Sequence, residues 1–295
     1  MSLTPDDSAR PDAIATASAP PAPTRKLVHG AEIPVLGLGT APVQGEAVVR
    51  QVADALAAGY RLVDTAENYH NEEGVGEGLR VSGIDRSEIF LTSKLNRRWH
   101  SVDGVRQACE ASLERLGTDY LDLFLVHWPN PDQGTYVDAV RGLEALREEG
   151  LLHAIGVSNF KPAHLKRVVD ETGIFPDVNQ IQLSPYTTRR DVREANDAMG
   201  TATESWSPIG ASDDELRSDP VVRSVAERLD KSPTQVILRW HVQSGFVVIP
   251  KSTDPAHLAE NIAVFDFELT ADDMAAIDGL DRGDAGITDS DVFGH

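Results

Sequence analysis

The stretch Arg61-Leu62-Val63-Asp64-Thr65-Ala66-Glu67-Asn68-Tyr69 reads as a buried strand that breaks into a short loop carrying a carboxylate and then a phenol. Alone it decides little, because an aspartate ending a strand is commonly a helix N-cap and a tyrosine commonly sits in a core or rim. In a chain of repeated strand–helix units, however, every loop after a strand is aimed at one face, and catalytic groups collect there. The reading turns on whether later strands end in partners for Asp64 and Tyr69.

Outward from this stretch, short β-branched runs alternate with amphipathic ones. Strands are expected at 35–38, 61–63, 89–92, 121–126, 153–157, 178–181, 202–205 and 246–249, with helical patterns at 46–57, 102–116, 135–148 and 163–169 between them. Near-continuous apolar strands such as Leu121-Asp122-Leu123-Phe124-Leu125-Val126 suit a parallel sheet covered by helices. Eight such units predict an α/β fold, a closed (β/α)8 TIM barrel. The patterns at 232–242 and 270–278 are expected as two additional helices, and the Gly- and Asp-rich stretch after Leu280 as a loop over the active-site face. Residues 1–25, rich in Ala, Pro, Ser and Asp, read as a disordered extension, and 26–295 as one barrel domain. Gly74-Val75-Gly76-Glu77-Gly78 superficially suggests a dinucleotide fingerprint, but it follows polar Asn71-Glu72-Glu73 rather than a strand. Its glycines are expected to serve close packing of the second helix.

Charge and cysteine content narrow the function. A formal net charge of −20 argues against nucleic acid and anionic membranes, which need a basic face. No run reaches the ~18 apolar residues of a membrane span, and acidic Asp6, Asp7 and Asp12 replace the basic start of a secretory signal. Cys109, the single cysteine, leaves no internal disulfide and no cysteine-pair metal site, as expected in a reducing cytoplasm.

Later strands do end in partners: Lys94 after the third and His127 after the fourth. With Asp64 and Tyr69 they suit proton delivery to a carbonyl oxygen. A phenol is a poor acid at neutral pH, and an adjacent ammonium lowers its pKa. Asp64 would orient Lys94, and His127 would hydrogen-bond the same oxygen. No side chain supplies a hydride, so a reductase of this kind needs nicotinamide.

The ordered set DTAENYHNEEGVG, TSKL, LFLVHWPNP, IGVSNF, NQIQLSPY, ESWSPIG and IPKSTDPAHLAEN strongly resembles the aldo-keto reductase superfamily, most closely its bacterial 2,5-diketo-D-gluconate reductase-like members. The match runs from about Leu27 to the C-terminus. The resemblance implies Tyr69 as general acid, Asp64 and Lys94 as the groups that tune it, and His127 as the residue orienting the carbonyl. It places Ser158, Asn159 and Gln180 at the nicotinamide amide, Trp206 on its ring, and Ser207 and Ile209 along the pyrophosphate. Lys251, Ser252, Thr253 and His257 fall at the adenosine 2′-phosphate, Glu260 and Asn261 at the adenine. NADPH is the implied cofactor, a small-molecule carbonyl compound the partner, and a monomer the implied state.

Departures from the family pattern bear on substrate and cofactor. Ala41-Pro42 stands where the family usually has an aromatic, opening one wall. Trp128, Trp99 and Phe293 are candidate apolar walls. His257 replaces a usual arginine, so NADH should be tolerated. Two competing readings are weaker. A nucleotide-binding redox sensor has no need of the four proton-relay residues, and a metal-dependent hydrolase would need more inward-facing ligands than Asp64 and His127.

Overall fold

Eight parallel strands organise the molecule. The computed structural model describes residues 22–210 and 214–295. An antiparallel hairpin, β1 (Thr24–Lys26) and β2 (Glu32–Pro34), comes first. The barrel strands follow: β3 (Leu38–Gly39), β4 (Leu62–Asp64), β5 (Phe90–Leu95), β6 (Leu121–Val126), β7 (Leu152–Ser158), β8 (Val178–Gln182), β9 (Ala202–Trp206) and β10 (Val247–Val248). Each pairs in parallel with its successor. The ring closes where Leu36 bridges Val248, with Gly37 N–H donating to Val248 O at 2.9 Å and Gly39 N–H to Pro250 O at 3.0 Å. Closure satisfies backbone groups that an open sheet would leave at its edges. Every expected strand lies in the ring, so the predicted (β/α)8 barrel is present.

Among the described residues, α1 (Gly45–Ala57), α2 (Glu72–Ser82), α3 (Val102–Leu116), α4 (Tyr136–Glu148), α5 (Pro162–Thr172) and α6 (Arg190–Met199) follow the first six barrel strands in turn. Then come α7 (Glu215–Ser218), α8 (Pro220–Leu229) and α9 (Pro233–Gln243) before β10, and α10 (Pro255–Ile262) and α11 (Ala271–Asp278) after it. The expected 232–242 helix is α9, and it is not an addition. It packs directly on β10 as part of the ring, while α8 and α11 pack on each other outside it. A separate apolar cluster joins them, with Val222, Val225, Val236, Trp240 and Ile277 buried together. The start of α9 is fixed locally. Ser232 Oγ accepts from Gln235 N–H, Gln235 Oε1 accepts from Ser232 N–H, and Pro233 occupies the first turn, where its missing donor costs nothing.

The glycines of α2 are packing positions, as expected. A Cβ on Gly74 would lie 2.5 Å from Val48 Cγ1, and one on Gly76 only 2.3 Å from Leu116 O. The residue types let α2 lie against α1 and the end of α3.

The expected boundary at residue 25 is too late. Residues up to 21 lie outside the described residues, but Ala22 is buried and Thr24–Lys26 is strand β1. Arg25 Nη1 also donates to Gly245 O at 2.5 Å. The hairpin places Leu27 and Ile33 in the same buried cluster as the inward residues of the barrel.

Inside the ring, alternation sets the layers. Successive inward positions are two residues apart, so each strand goes from apolar to polar as it approaches its C-terminal end. Leu62 precedes Asp64, Phe90 precedes Thr92 and Lys94, Val178 precedes Gln180, and Ala202 precedes Glu204. The apolar members form one cluster with Leu123, Leu125, Val247 and Ile249. Everything polar is thereby lifted to one mouth.

Candidate active site

At that mouth opens a cleft of about 640 Å³, lined among others by Asp64, Tyr69, His127, Trp128, Asn159, Gln180, Trp206, Lys251 and His295. Beneath its lining residues Asp64 and Tyr69 lies Lys94, whose side chain is 0% exposed. The ammonium donates to Asp64 Oδ1 at 2.6 Å, Thr65 O at 2.8 Å and Tyr69 OH at 3.3 Å. Three acceptors match its three protons. Tyr69 ends a short 3-10 turn (Glu67–Tyr69) after β4, with its backbone held by Gln44 Nε2, which donates to Tyr69 O at 2.7 Å.

Electrostatics follow from burial and this pairing. Burial works against the Lys94 charge, but Asp64 and Tyr69 outweigh it and hold the ammonium above its ordinary pKa. The Tyr69 phenol also lies above its ordinary value, because burial outweighs the opposing Lys94 charge. The ammonium alone would do the reverse, as the sequence predicts, but burial overrides it. His127 is held well below the usual imidazole range by burial, then by Lys94 and His295, and is neutral at neutral pH. Its Nδ1 is buried without a protein partner, and its ring meets Tyr69 edge-on at 5.7 Å. Phenol and neutral imidazole face the same space.

Of the expected cofactor residues, Ser158, Asn159, Gln180 and Trp206 line the cleft together. Ser158 Oγ donates to Gln180 O at 2.8 Å, Asn159 Nδ2 to His127 O at 3.1 Å, and Trp206 Nε1 to Asn159 Oδ1 at 2.9 Å. Asn159 and Ser207 both have left-handed backbone, φ +63° and +50°. Ser207, Ile209 and Lys251 line the cleft. Ser252 and Thr253 lead into α10, which Asp254 caps by accepting from Ala256 N–H at 2.8 Å. His257 is exposed in the first turn of α10, with Glu260 and buried Asn261 further along it.

The substrate walls are partly different from those expected. Ala41 and Trp128 line the cleft. Trp99 does not: its indole N–H is shared between the two oxygens of Glu67 at 3.1 and 3.0 Å, and Arg98, paired with the same carboxylate, stacks on its ring. Phe293 sits behind Trp128, ring centroids 4.8 Å apart, and the terminal His295 reaches the cleft instead. Thus the C-terminal loop does lie over the active-site face, anchored by Lys161 to Asp289 and Asp291 and by Arg97 N–H to His295 O at 3.0 Å.

Sequence reasoning also missed Arg217, which lines the cleft and pairs with Asp214, and Glu204, fully buried beside Gln180. Glu204 was legible in principle. It stands two residues after Ala202 in a buried strand, so it must face inward.

The aldo/keto reductase family model matches residues 35–282, which includes all four relay residues. The chain belongs to the aldo/keto reductase family. Similar family members include methylglyoxal reductase DkgA of Yersinia pestis, 44% identical over 92% of this chain and 98% of that one. Another is 2,5-diketo-D-gluconic acid reductase B of a Corynebacterium, 46% identical over 90% and 95%. Among solved structures, a mutant of Gox0644 in complex with NADPH superposes with a TM-score of 0.88 at 41% identity, covering 93% of this reductase and 99% of that chain. The sequence resemblance is therefore borne out, and with it carbonyl reduction by a nicotinamide-dependent oxidoreductase. No helix among the described residues is long and apolar enough to cross a membrane.

Proposed function

We propose that this reductase acts on small aldehydes, dicarbonyls or keto-sugar acids, preferring NADPH but turning over NADH. Support for the chemistry rests on the buried Lys94 ammonium, which touches Asp64 and the Tyr69 hydroxyl together. Tyr69 holds the proton that the carbonyl oxygen takes up, and neutral His127 donates a hydrogen bond to that oxygen. As the phenol loses its proton, the ammonium stabilises the phenolate, so the transfer is not made against an uncompensated buried charge.

The residues present fit a nicotinamide dinucleotide. Bound, the cofactor supplies the hydride. Ser158, Asn159 and Gln180 would hold its amide, Trp206 its ring, Ser207 and Ile209 its pyrophosphate path, and Glu260 and Asn261 its adenine. Lys251, Ser252, Thr253 and His257 would hold the 2′-phosphate at the N-terminus of α10, where backbone N–H groups favour an anion. With Asn159 clamped between Trp206, Ser158 and the His127 carbonyl, that wall needs little ordering on binding.

The substrate class follows from the relatives and from the cleft. Trp128 Nε1 is buried without a protein partner, which suits a second polar group on the substrate, and Ala41 leaves space opposite. We infer a monomer working in a reducing cytoplasm, where buried Cys109, its thiol pushed up to about 12 by burial, stays inert. The sensor reading has no observation in its favour. Initial rates with methylglyoxal, simple aldehydes, diketones and 2,5-diketo-D-gluconate, each with NADPH and NADH, test the proposal. Turnover of none of these compounds with either cofactor would overturn the substrate class.

A further inference from the structure

Beneath the cleft, Glu204 has none of the roles assigned above. It lies beside Gln180 in the β8–β9 register, both side chains pointing into the barrel, and it is 0% exposed. The Gln180 amide has two hydrogens on Nε2, and both are spent: one on Asp64 Oδ2, one on Glu204 Oε2, each at 2.8 Å. The amide therefore bridges two carboxyls and cannot turn over without losing both bonds. Only its Oε1 is left to face a cofactor.

Charge decides the state of the second carboxyl. The groups that interact with Glu204 are Asp64 on β4, Lys94 on β5 and, beyond them, Tyr69. The neighbouring inward positions are apolar or uncharged: Val247 and Ile249 near β10, Leu125 on β6, Ser158 on β7. One cation thus stands against two carboxyls in a dry interior, and it touches Asp64. Glu204 Oε1 has no partner at all. An ionised carboxylate there would be a buried charge without a contact cation, the costliest arrangement available. We propose that Glu204 is a positioning residue of the reductase site: it holds a proton that keeps the Asp64–Lys94 pair electrically balanced, fixes the orientation of Gln180, and slows carbonyl reduction when it ionises.

Burial, reinforced by the Asp64 charge, pushes the Glu204 carboxyl up to about 8. Above that pH a second anion appears near Tyr69 and near the carbonyl oxygen on which negative charge must grow. Its repulsion makes the phenol a weaker acid and disfavours the alkoxide. This consequence rests on Tyr69 being the acid; the protonation of Glu204 does not.

Two measurements test it. Infrared spectra of the cofactor-free protein, labelled with 13C-carboxyl glutamate, should show the stretch of a protonated buried acid that is lost with a midpoint near pH 8. Glu204→Gln should lack that band. In steady-state kinetics the wild-type kcat should fall about tenfold between pH 7 and pH 9, as a single ionisation dictates, and E204Q should lose that inflection. Glu204→Ala should bind cofactor more weakly at every pH, read by quenching of Trp206 fluorescence, because Gln180 is untethered. Absence of a titrating glutamate band overturns the inference, as does an E204Q profile that matches wild type. Should E204Q fail to fold, the wild-type infrared titration still decides. Tyr69→Phe separates the two readings: if it stays active the acid assignment fails, whatever the glutamate band does.

Discussion

Lys94 Nζ lies 2.6 Å from Asp64 Oδ1, and neither side chain is more than 2% exposed. The pair is a buried point of charge whose free face meets the Tyr69 hydroxyl. Replacing Lys94 by Met keeps the volume and removes the cation, so the phenolate formed on proton transfer loses its stabilising charge. The expected outcome is a kcat lowered by about 10² to 10⁴, with cofactor affinity near wild type. A K94M enzyme within tenfold of wild type in single-turnover rate would show that the ammonium does not serve the proton transfer.

Tyr69→Phe removes the proton itself. The ring remains to meet His127, so the cleft keeps its shape. Carbonyl reduction should fall by a similar factor of about 10² to 10⁴, whereas NADPH binding, proposed to use Ser158, Asn159 and Trp206, should be unchanged. Retention of more than about a tenth of wild-type kcat would sink the assignment.

These four relay residues were legible because each stands at or just after the C-terminal end of a barrel strand, and strand ends in a barrel converge whatever their separation in sequence. Burial of the phenol was not legible, and it reversed the sign of the Tyr69 shift. Trp99 misled for a related reason. Its place in a loop after β5 was right, but the direction of its indole depends on Glu67, about thirty residues earlier. The β1–β2 hairpin escaped because three-residue strands with exposed ends carry no alternation long enough to read. Similarly, the sequence presents α9 as an addition because nothing local distinguishes a ring helix from one outside it; the difference lies in the β10 contact.

The proposed cofactor preference would be set at the start of α10, where His257 stands exposed. A guanidinium at position 257 would grip a phosphate with two parallel bonds, whereas an imidazole gives at most one. Asp254 beside it caps α10 with its carboxylate. A charge-assisted bond contributes roughly 1.5 to 3 kcal/mol, so His257→Arg should tighten NADPH by about tenfold or more and leave NADH almost unchanged. Equal effects on the two Kd values would show that this side chain does not face the 2′-phosphate.

The N-terminal boundary can be tested by two truncations. Composition predicts that removing residues 1–21 leaves Tm and kcat unchanged. Removing 1–26 deletes β1, leaves β2 unpaired and exposes Leu27 and Ile33, which are 4% and 0% exposed. That variant should melt lower by about 2–4 °C for each kcal/mol lost in a domain of this size. Equal Tm values for both truncations would mean that the hairpin adds nothing to the barrel.

Stability should peak near pH 6.5, because two sets of buried groups oppose each other. Burial lowers the imidazole pKa of His241 to about 3 and of His100 to about 4, and it lowers His127, His164 and His295 as well. For His241 the hydrogen bonds fit the neutral ring, with Nε2 against Pro208 O and Nδ1 against Ser205 Oγ, both at 3.1 Å. Below about 6.5 the unfolded chain takes up protons that these rings refuse, so stability falls with acidification, by about 2 kcal/mol per fully refusing ring at pH 5. Glu204 acts in the other sense. Folded, it keeps its proton to about 8; unfolded, it loses it near 4.3, so stability falls as pH rises through that interval. At about pH 6.5 the unfolded forms of His241 and His100 are each half protonated, which balances the one proton that folded Glu204 retains; below that pH the rings dominate and above it Glu204 does. Urea melts from about pH 5 to pH 8.5 should trace this maximum. His241→Gln should flatten the acid limb and Glu204→Gln the alkaline one, whereas a stability that rises steadily to pH 8.5 would show that Glu204 is already ionised in the folded protein.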